Sequence, residues 1–217
     1  MTMLLRLPLE LQATVAAFVW DVDSAVEDGL LPVLQLLHLH GGASVNGSFR
    51  AMNVAARDGR LDIVRFLHKH RKEGCSTLAM NLAAARGHLH VVRYLHSHRR
   101  EGCTTRAMDA AAGNGHFDIV RFLHFHRKEG CTTAAMDQAA ANGHFAIVQF
   151  LHVHRTEGCT IAAVDRAAEN GFEAIVEFLL LHKAGYTAMG VQWALRNQHL
   201  RLAQRLACAV RVKPCLS

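Results

Sequence analysis

The sequence has no long hydrophobic run. Its longest weakly polar stretch near the start, LQATVAAFVW, is about half of what a membrane-spanning helix needs, and it follows Arg6, Pro8 and Glu10, which break a signal-peptide pattern. No targeting segment and no membrane partner are expected. The sequence also lacks a nucleophile elbow, a phosphate-cradling glycine loop and a unique pair of carboxylates, so neither an enzyme nor a cofactor is expected. A disulfide framework is missing too. Four of the six cysteines recur at one spacing, with Cys208 and Cys215 left over, which suits reduced thiols in a cytoplasmic protein, with the nucleus as the alternative compartment. Charge of one sign is not spread along the chain either. The formal net charge is +6, yet residues 1–50 carry −3, residues 79–106 carry +4 and residues 163–190 carry −2.

What the sequence does have is a period. Cys75, Cys103, Cys131 and Cys159 are 28 residues apart, and so are Gly59, Gly87, Gly115, Gly143 and Gly171. A chain of 217 residues with 51% hydrophobic content buries a core without staples. Within one unit the apolar positions Ala107, Met108, Ala111 and Ala112, then Phe117, Ile119, Val120, Phe122 and Leu123, follow a helical period on two short segments split by GNG. Each unit is therefore expected to be a helix-turn-helix. Paired alanines at 55–56, 83–84, 111–112 and 139–140 let first helices approach closely, and the larger side chains of the second helices fill the space behind. Asn114, Asn142 and Asn170 each precede a glycine, a pair suited to left-handed backbone in a tight turn. Ser76–Thr77, Thr104–Thr105 and Thr132–Thr133 stand where a hydroxyl can cap each first helix.

The frame in AAARGHLHVVRYL and AAANGHFAIVQFL resembles the ankyrin repeat, over roughly residues 20 to 210. The family's unit is about 33 residues with a T-P-L-H-x-A signature. Here the unit is 28, and Asn81, Asp109, Asp137 and Asp165 stand where the family's histidine would be. The missing residues fall between one unit's second helix and the next unit's first, so the projecting β-hairpin finger is expected to shrink to a tight loop. The expected fold is all-α, an ankyrin-like helix-turn-helix solenoid of about seven stacked repeats. The expected organisation is an N-terminal capping helix over 1–19, a repeat domain over 20–210 and a C-terminal tail over 211–217. The units fall at about 20–50, 51–78, 79–106, 107–134, 135–162, 163–190 and 191–210.

All 16 histidines sit in register positions. His124 and His126 are about 200° apart around a helix axis, and the next unit's pair is stacked roughly 10 Å away, so four ligands do not converge and no metal site is expected. His68, His96, His124 and His152 are instead expected to bond terminal carbonyls of their helices, His70, His98, His126 and His154 to bridge to the next loop, and the cysteines to plug the space between loops. Arg65, Arg93 and Arg121 on the second helices, with Arg71, Arg99, Arg127 and Arg155 beside Lys72, Arg100 and Lys128 in the loops, could together track phosphates, but Glu73, Glu101, Glu129 and Glu157 in the same loops, and Gln149 and Glu177 at the helix position, favour a salt-bridged face over nucleic-acid binding. The segment LPLEL, Leu7 to Leu11, resembles the opening of an F-box, which would imply a substrate adaptor of a ubiquitin ligase.

The ankyrin resemblance implies a non-enzymatic scaffold that binds a protein partner along the solenoid surface, and the chain is expected to be a monomer. The residues to look at are exposed ones that differ between units while the frame stays fixed: Arg57, Leu78, Leu82, Arg86, Arg106, Phe125, Gln138 and Arg166.

Overall fold

The computed structural model describes residues 21–41 and 47–211. The proposed capping helix over 1–19, with its F-box-like segment, and nearly all of the tail lie outside the described residues. The described residues form fourteen α-helices and no strand. The chain divides into two compact units, residues 1–104 and 105–217.

In the first unit, α1 (Val22–Glu27) pairs with α2 (Leu31–Gly41), α3 (Phe49–Arg57) with α4 (Leu61–His70), and α5 (Thr77–Ala85) with α6 (Leu89–His98). In the second, α7 (Thr105–Gly113) pairs with α8 (Phe117–His126), α9 (Thr133–Ala141) with α10 (Phe145–His154), α11 (Ile161–Glu169) with α12 (Glu173–Leu181), and α13 (Ala188–Arg196) with α14 (Leu200–Arg211). Within each unit, first helices pack on first helices and second on second. The alanine pairs make this possible: Ala55, Ala56, Ala83, Ala84, Ala111, Ala112, Ala139 and Ala140 are all fully buried, and a larger side chain there would push the helices apart. Behind them Ile63, Val64 and Leu67, Ile119, Val120 and Leu123, and their counterparts in the other second helices form the core.

α1 begins under the Asp21 carboxylate, and later first helices begin under a hydroxyl. Ser76, Thr132, Thr160 and Thr187 accept the N–H of the second helical residue, at 3.1–3.2 Å. The same residues are gripped from the preceding pair by the polar side chain at the family's histidine position. Thr132 donates its N–H and hydroxyl to Asp109 at 2.8 and 2.9 Å, and Thr160 does so to Asp137 at 2.8 and 2.7 Å. With asparagine the hydroxyl bond reverses: Asn53 accepts from Ser76 N–H at 3.1 Å and donates to its hydroxyl at 2.9 Å. Asn81 holds Thr104 the same way. A carboxylate and an amide thus close the same two-bond clamp, and that clamp repeats from pair to pair.

The turn inside each pair is where glycine is required. Gly115 has φ 81°, and a Cβ there would lie 2.6 Å from the His144 ring of the next pair. The asparagine before the glycine does not share this conformation, contrary to the sequence expectation. Asn142 and Asn170 keep φ of −103° and −92°. Their amides donate to Gly113 O and Ala141 O of the preceding pair, at 2.7 and 2.8 Å. Asparagine is there to tie pair to pair, not to turn the chain. In the last pair Gln198 takes the glycine's place at φ 64°. A side chain in that region costs roughly 1–2 kcal/mol, and a glycine gives part of this back as unfolded-state entropy. Gln198→Gly is therefore expected to stabilise the chain by about 0.5–1 kcal/mol. Urea denaturation should show a higher midpoint; a lower one would mean that the Gln198 side chain makes contacts that outweigh the strain.

Candidate functional site

The loops between pairs are tight and charged. Arg71, Arg99, Arg127 and Arg155 each form an ion pair with the glutamate two residues on, Glu73, Glu101, Glu129 and Glu157. Each of these arginines has at most a quarter of its side chain exposed, and its guanidinium is engaged by the glutamate. The hydrogen bond from Arg155, against the cost of burial, holds the Glu157 carboxyl down at about 2. Arg99 also reaches back to the preceding second helix, with its guanidinium 3.4 Å from His68 Nδ1, while Glu101 accepts from the Cys75 N–H of the preceding loop at 3.5 Å. Cys103 and Cys131 are buried and Cys75 and Cys159 half-buried. Burial, reinforced by Glu101 and Glu157 respectively, pushes the Cys75 and Cys131 thiols up to about 11, which keeps them protonated and weakly nucleophilic.

The histidines exchange the two roles the sequence suggested for them. His98 and His126, the second of each pair, have Nδ1 bonded to the carbonyls of Tyr94 and Phe122, four residues back, at 3.0 and 2.9 Å. Their rings stack on the same residues, with centroids 4.1 and 4.3 Å apart. The i, i+4 spacing on a helix produces both contacts at once. The first histidine of each pair turns toward the next pair: His124 meets Phe150 edge-on at 5.4 Å and His154 at 5.5 Å. His152 meets Phe178 at 5.2 Å and His182 at 4.0 Å. Imidazoles of neighbouring pairs are thus much closer than the helix spacing suggests, because both side chains reach along the stack into the same gap. Among the described residues no three histidine, cysteine, aspartate or glutamate side chains converge on one point.

Of the eight residues proposed from the sequence, Leu78 and Arg106 occupy the second position of α5 and α7, and Leu82, Gln138 and Arg166 the sixth position of α5, α9 and α11. Arg57 ends α3 and Arg86 follows α5. These seven belong to first helices and their turns. Leu78, Arg86, Arg106, Gln138 and Arg166 are exposed, whereas Leu82 is half-buried. Arg57 is tied to Asp58 by two bonds of 2.8 and 3.0 Å. Gln138 lies over Gly113, where a Cβ would come within 2.6 Å of its Oε1. Phe125 stands apart on the second helix α8, with 63% of its surface exposed. It belongs with Val153 and Leu181, exposed at the same position of α10 and α12, and selecting Phe125 alone missed that row. The signal was a column that reads Lys69, Ser97, Phe125, Val153, Leu181 and turns apolar along the chain.

Stacked two-helix hairpins with small residues at the crossings, hydroxyl caps and glycine turns define an all-α repeat solenoid. A family profile described as "Ankyrin repeats (3 copies)" matches residues 23–106, 52–137 and 107–189, and the chain belongs to the ankyrin-repeat family. Comparison with curated proteins finds no match. Ankyrin repeats generally mediate protein–protein interaction, and the family is typically non-enzymatic. Among the described residues no helix is long and apolar enough to cross a membrane.

Proposed function

We propose that the chain is a non-enzymatic interaction module that holds a protein partner along the face made by its first helices and their turns. The observation that carries this reading is the contrast between columns. The buried positions of the first helices repeat almost unchanged as alanine and methionine, while the sixth position reads Leu82, Ala110, Gln138, Arg166, half-buried in the first two and exposed in the last two. Fixed columns preserve stacking, and a column free of that duty is where binding specificity can be written. Arg86 in the first unit and Arg106 in the second are exposed cations on first helices or their turns, so acidic segments of a partner are the complement, with association slowed by salt.

The test uses the full chain as bait in a lysate of the cells that produce it, with captured proteins identified by mass spectrometry. Changing Arg57, Arg86 and Arg106 to Glu is expected to remove most of a captured partner. Changing Arg65 and Arg93, exposed on the second helices α4 and α6, is expected to leave it bound. The reverse pattern would place the binding face on the second helices.

A further inference from the structure

Three exposed apolar side chains line the second helices of the second unit: Phe125 at 63%, Val153 at 72% and Leu181 at 77% exposure. Four residues before each stand Arg121, Gln149 and Glu177, also exposed. The i, i+4 spacing puts both members of each set on one face of their helix. Because α10 packs against both α8 and α12, the sets align into two rows. One row is apolar. The other runs from a cation through an amide to an anion. Neither row serves the core, which Ile119, Val120 and Leu123 and their equivalents already supply.

The polar row indicates what covers the apolar one. A series ordered plus, neutral, minus is complementary to itself when reversed, so a second copy of this chain fits it. We propose that two copies associate through the outer face of α8, α10 and α12, about a two-fold axis that lies in the contact plane parallel to α10. That operation sets α8 of one copy on α12 of the other. Arg121 then faces Glu177 of the partner subunit, and Phe125 faces Leu181 of the partner subunit. Val153 and Gln149 lie at the axis and meet their own copies. A two-fold axis running across the helices would instead lay the charged row on the apolar row, so the charge order selects the axis as well as the face. Glu177 is already paired with Arg205 of α14, but both side chains are solvent-exposed, at 47% and 64%. Such a pair contributes little and leaves the second carboxylate oxygen to accept from Arg121.

Sedimentation velocity on the full chain, from low micromolar to several hundred micromolar, tests this. The expected result is a monomer–dimer equilibrium with a dissociation constant on the order of 10–100 µM, as suits a contact smaller than the ~1,600 Å² of a standard complex. Arg121→Glu and Glu177→Arg should each weaken the dimer about tenfold or more, and the two together should restore it to within about threefold. Val153→Glu, which sets two carboxylates against each other at the axis, should leave only monomer. Arg65→Glu, the same helical position on α4 beside Lys69, should change nothing. A chain that stays monomeric throughout overturns the proposal. So does a dimer indifferent to the single reversals, or a double reversal that stays dissociated while its helicity and melting match the wild type.

Discussion

Acidification from about pH 7.5 to about 5.5 is expected to destabilise the fold substantially, because His68, His88 and His124 are held neutral by their surroundings. Burial, then Arg99 and His98, lower the pKa of His68 against the opposing pull of Glu101. Burial, then Arg155 and His154, do the same to His124 against Glu157. His88 is lowered chiefly by burial, although a backbone carbonyl at Arg57 opposes the shift. Nδ1 of His124 is buried with no hydrogen-bond partner, so a proton there would be a buried, unpaired N–H. A base whose folded pKa lies below its unfolded value binds fewer protons when folded. Its contribution to stability is therefore complete above about pH 6.5 and is lost as pH falls from there through the folded pKa. The like charge of His98 and of His154 acts on these two rings from 5.7 and 5.5 Å, across the gap to the next helix pair. Screening in 0.1 M salt, with a length of about 10 Å, does little at that distance. Chemical denaturation at the two pH values in matched salt should give a clearly lower midpoint at the acidic one. The His68→Leu, His124→Leu double variant should show a shallower decline, and leucine is already the residue at this position in α12, as Leu180. An equal or higher midpoint at low pH would overturn this reading.

Those histidines also mark where sequence reasoning stops. The 28-residue period, the alanine crossings, the hydroxyl caps and the arginine–glutamate loops are each fixed by local chemistry repeated in register, and all were legible. The choice between two histidines two residues apart depends on what lies in the gap to the next pair. Part of that answer was present: Phe122 and His126 are four apart, the spacing at which ring and imidazole stack while Nδ1 reaches the Phe122 carbonyl. The asparagine before each glycine misled for the opposite reason. Its residue type suits a left-handed turn, and only the distant Gly113 and Ala141 carbonyls reveal its use. The binding residues were the least legible part. Exposure of a column can be inferred from the helical period, but a partner's shape leaves no imprint on a single sequence. Leu82 shows the risk, since it varies like a contact residue yet is half-buried.

The largest single-residue loss is expected at Asp165, where the last clamp of the second unit closes. Asp165 is buried, at 5% exposure, and accepts from the N–H and hydroxyl of Thr187 at 2.9 and 2.6 Å. That hydroxyl in turn accepts from Met189 N–H at 3.1 Å, so one carboxylate fixes both the entry of α13 and its cap. The helix arrives so close that a Cβ on Gly190 would lie 2.4 Å from the carboxylate, which leaves little room for water to replace it. Asp165→Ala removes two bonds to a charged acceptor and strands their donors, an expected loss of about 3 kcal/mol. Asp165→Asn should cost less than about 1 kcal/mol, because an amide can accept from the N–H and donate to the hydroxyl, as Asn53 and Asn81 do in the first unit. The loss should also be local. Repeats unfold as neighbouring units coupled through their interfaces, so a broken clamp at Thr187 loosens the α13–α14 pair first. Hydrogen exchange in Asp165→Ala is expected to accelerate through α13 and α14 while the amides of α7 to α10 keep their wild-type rates. If Asn and Ala at this position lose the same stability, the carboxylate's charge and not the two-bond geometry holds the pair. If exchange rises evenly across the unit, the repeats unfold as one body and the clamp is not a boundary between them.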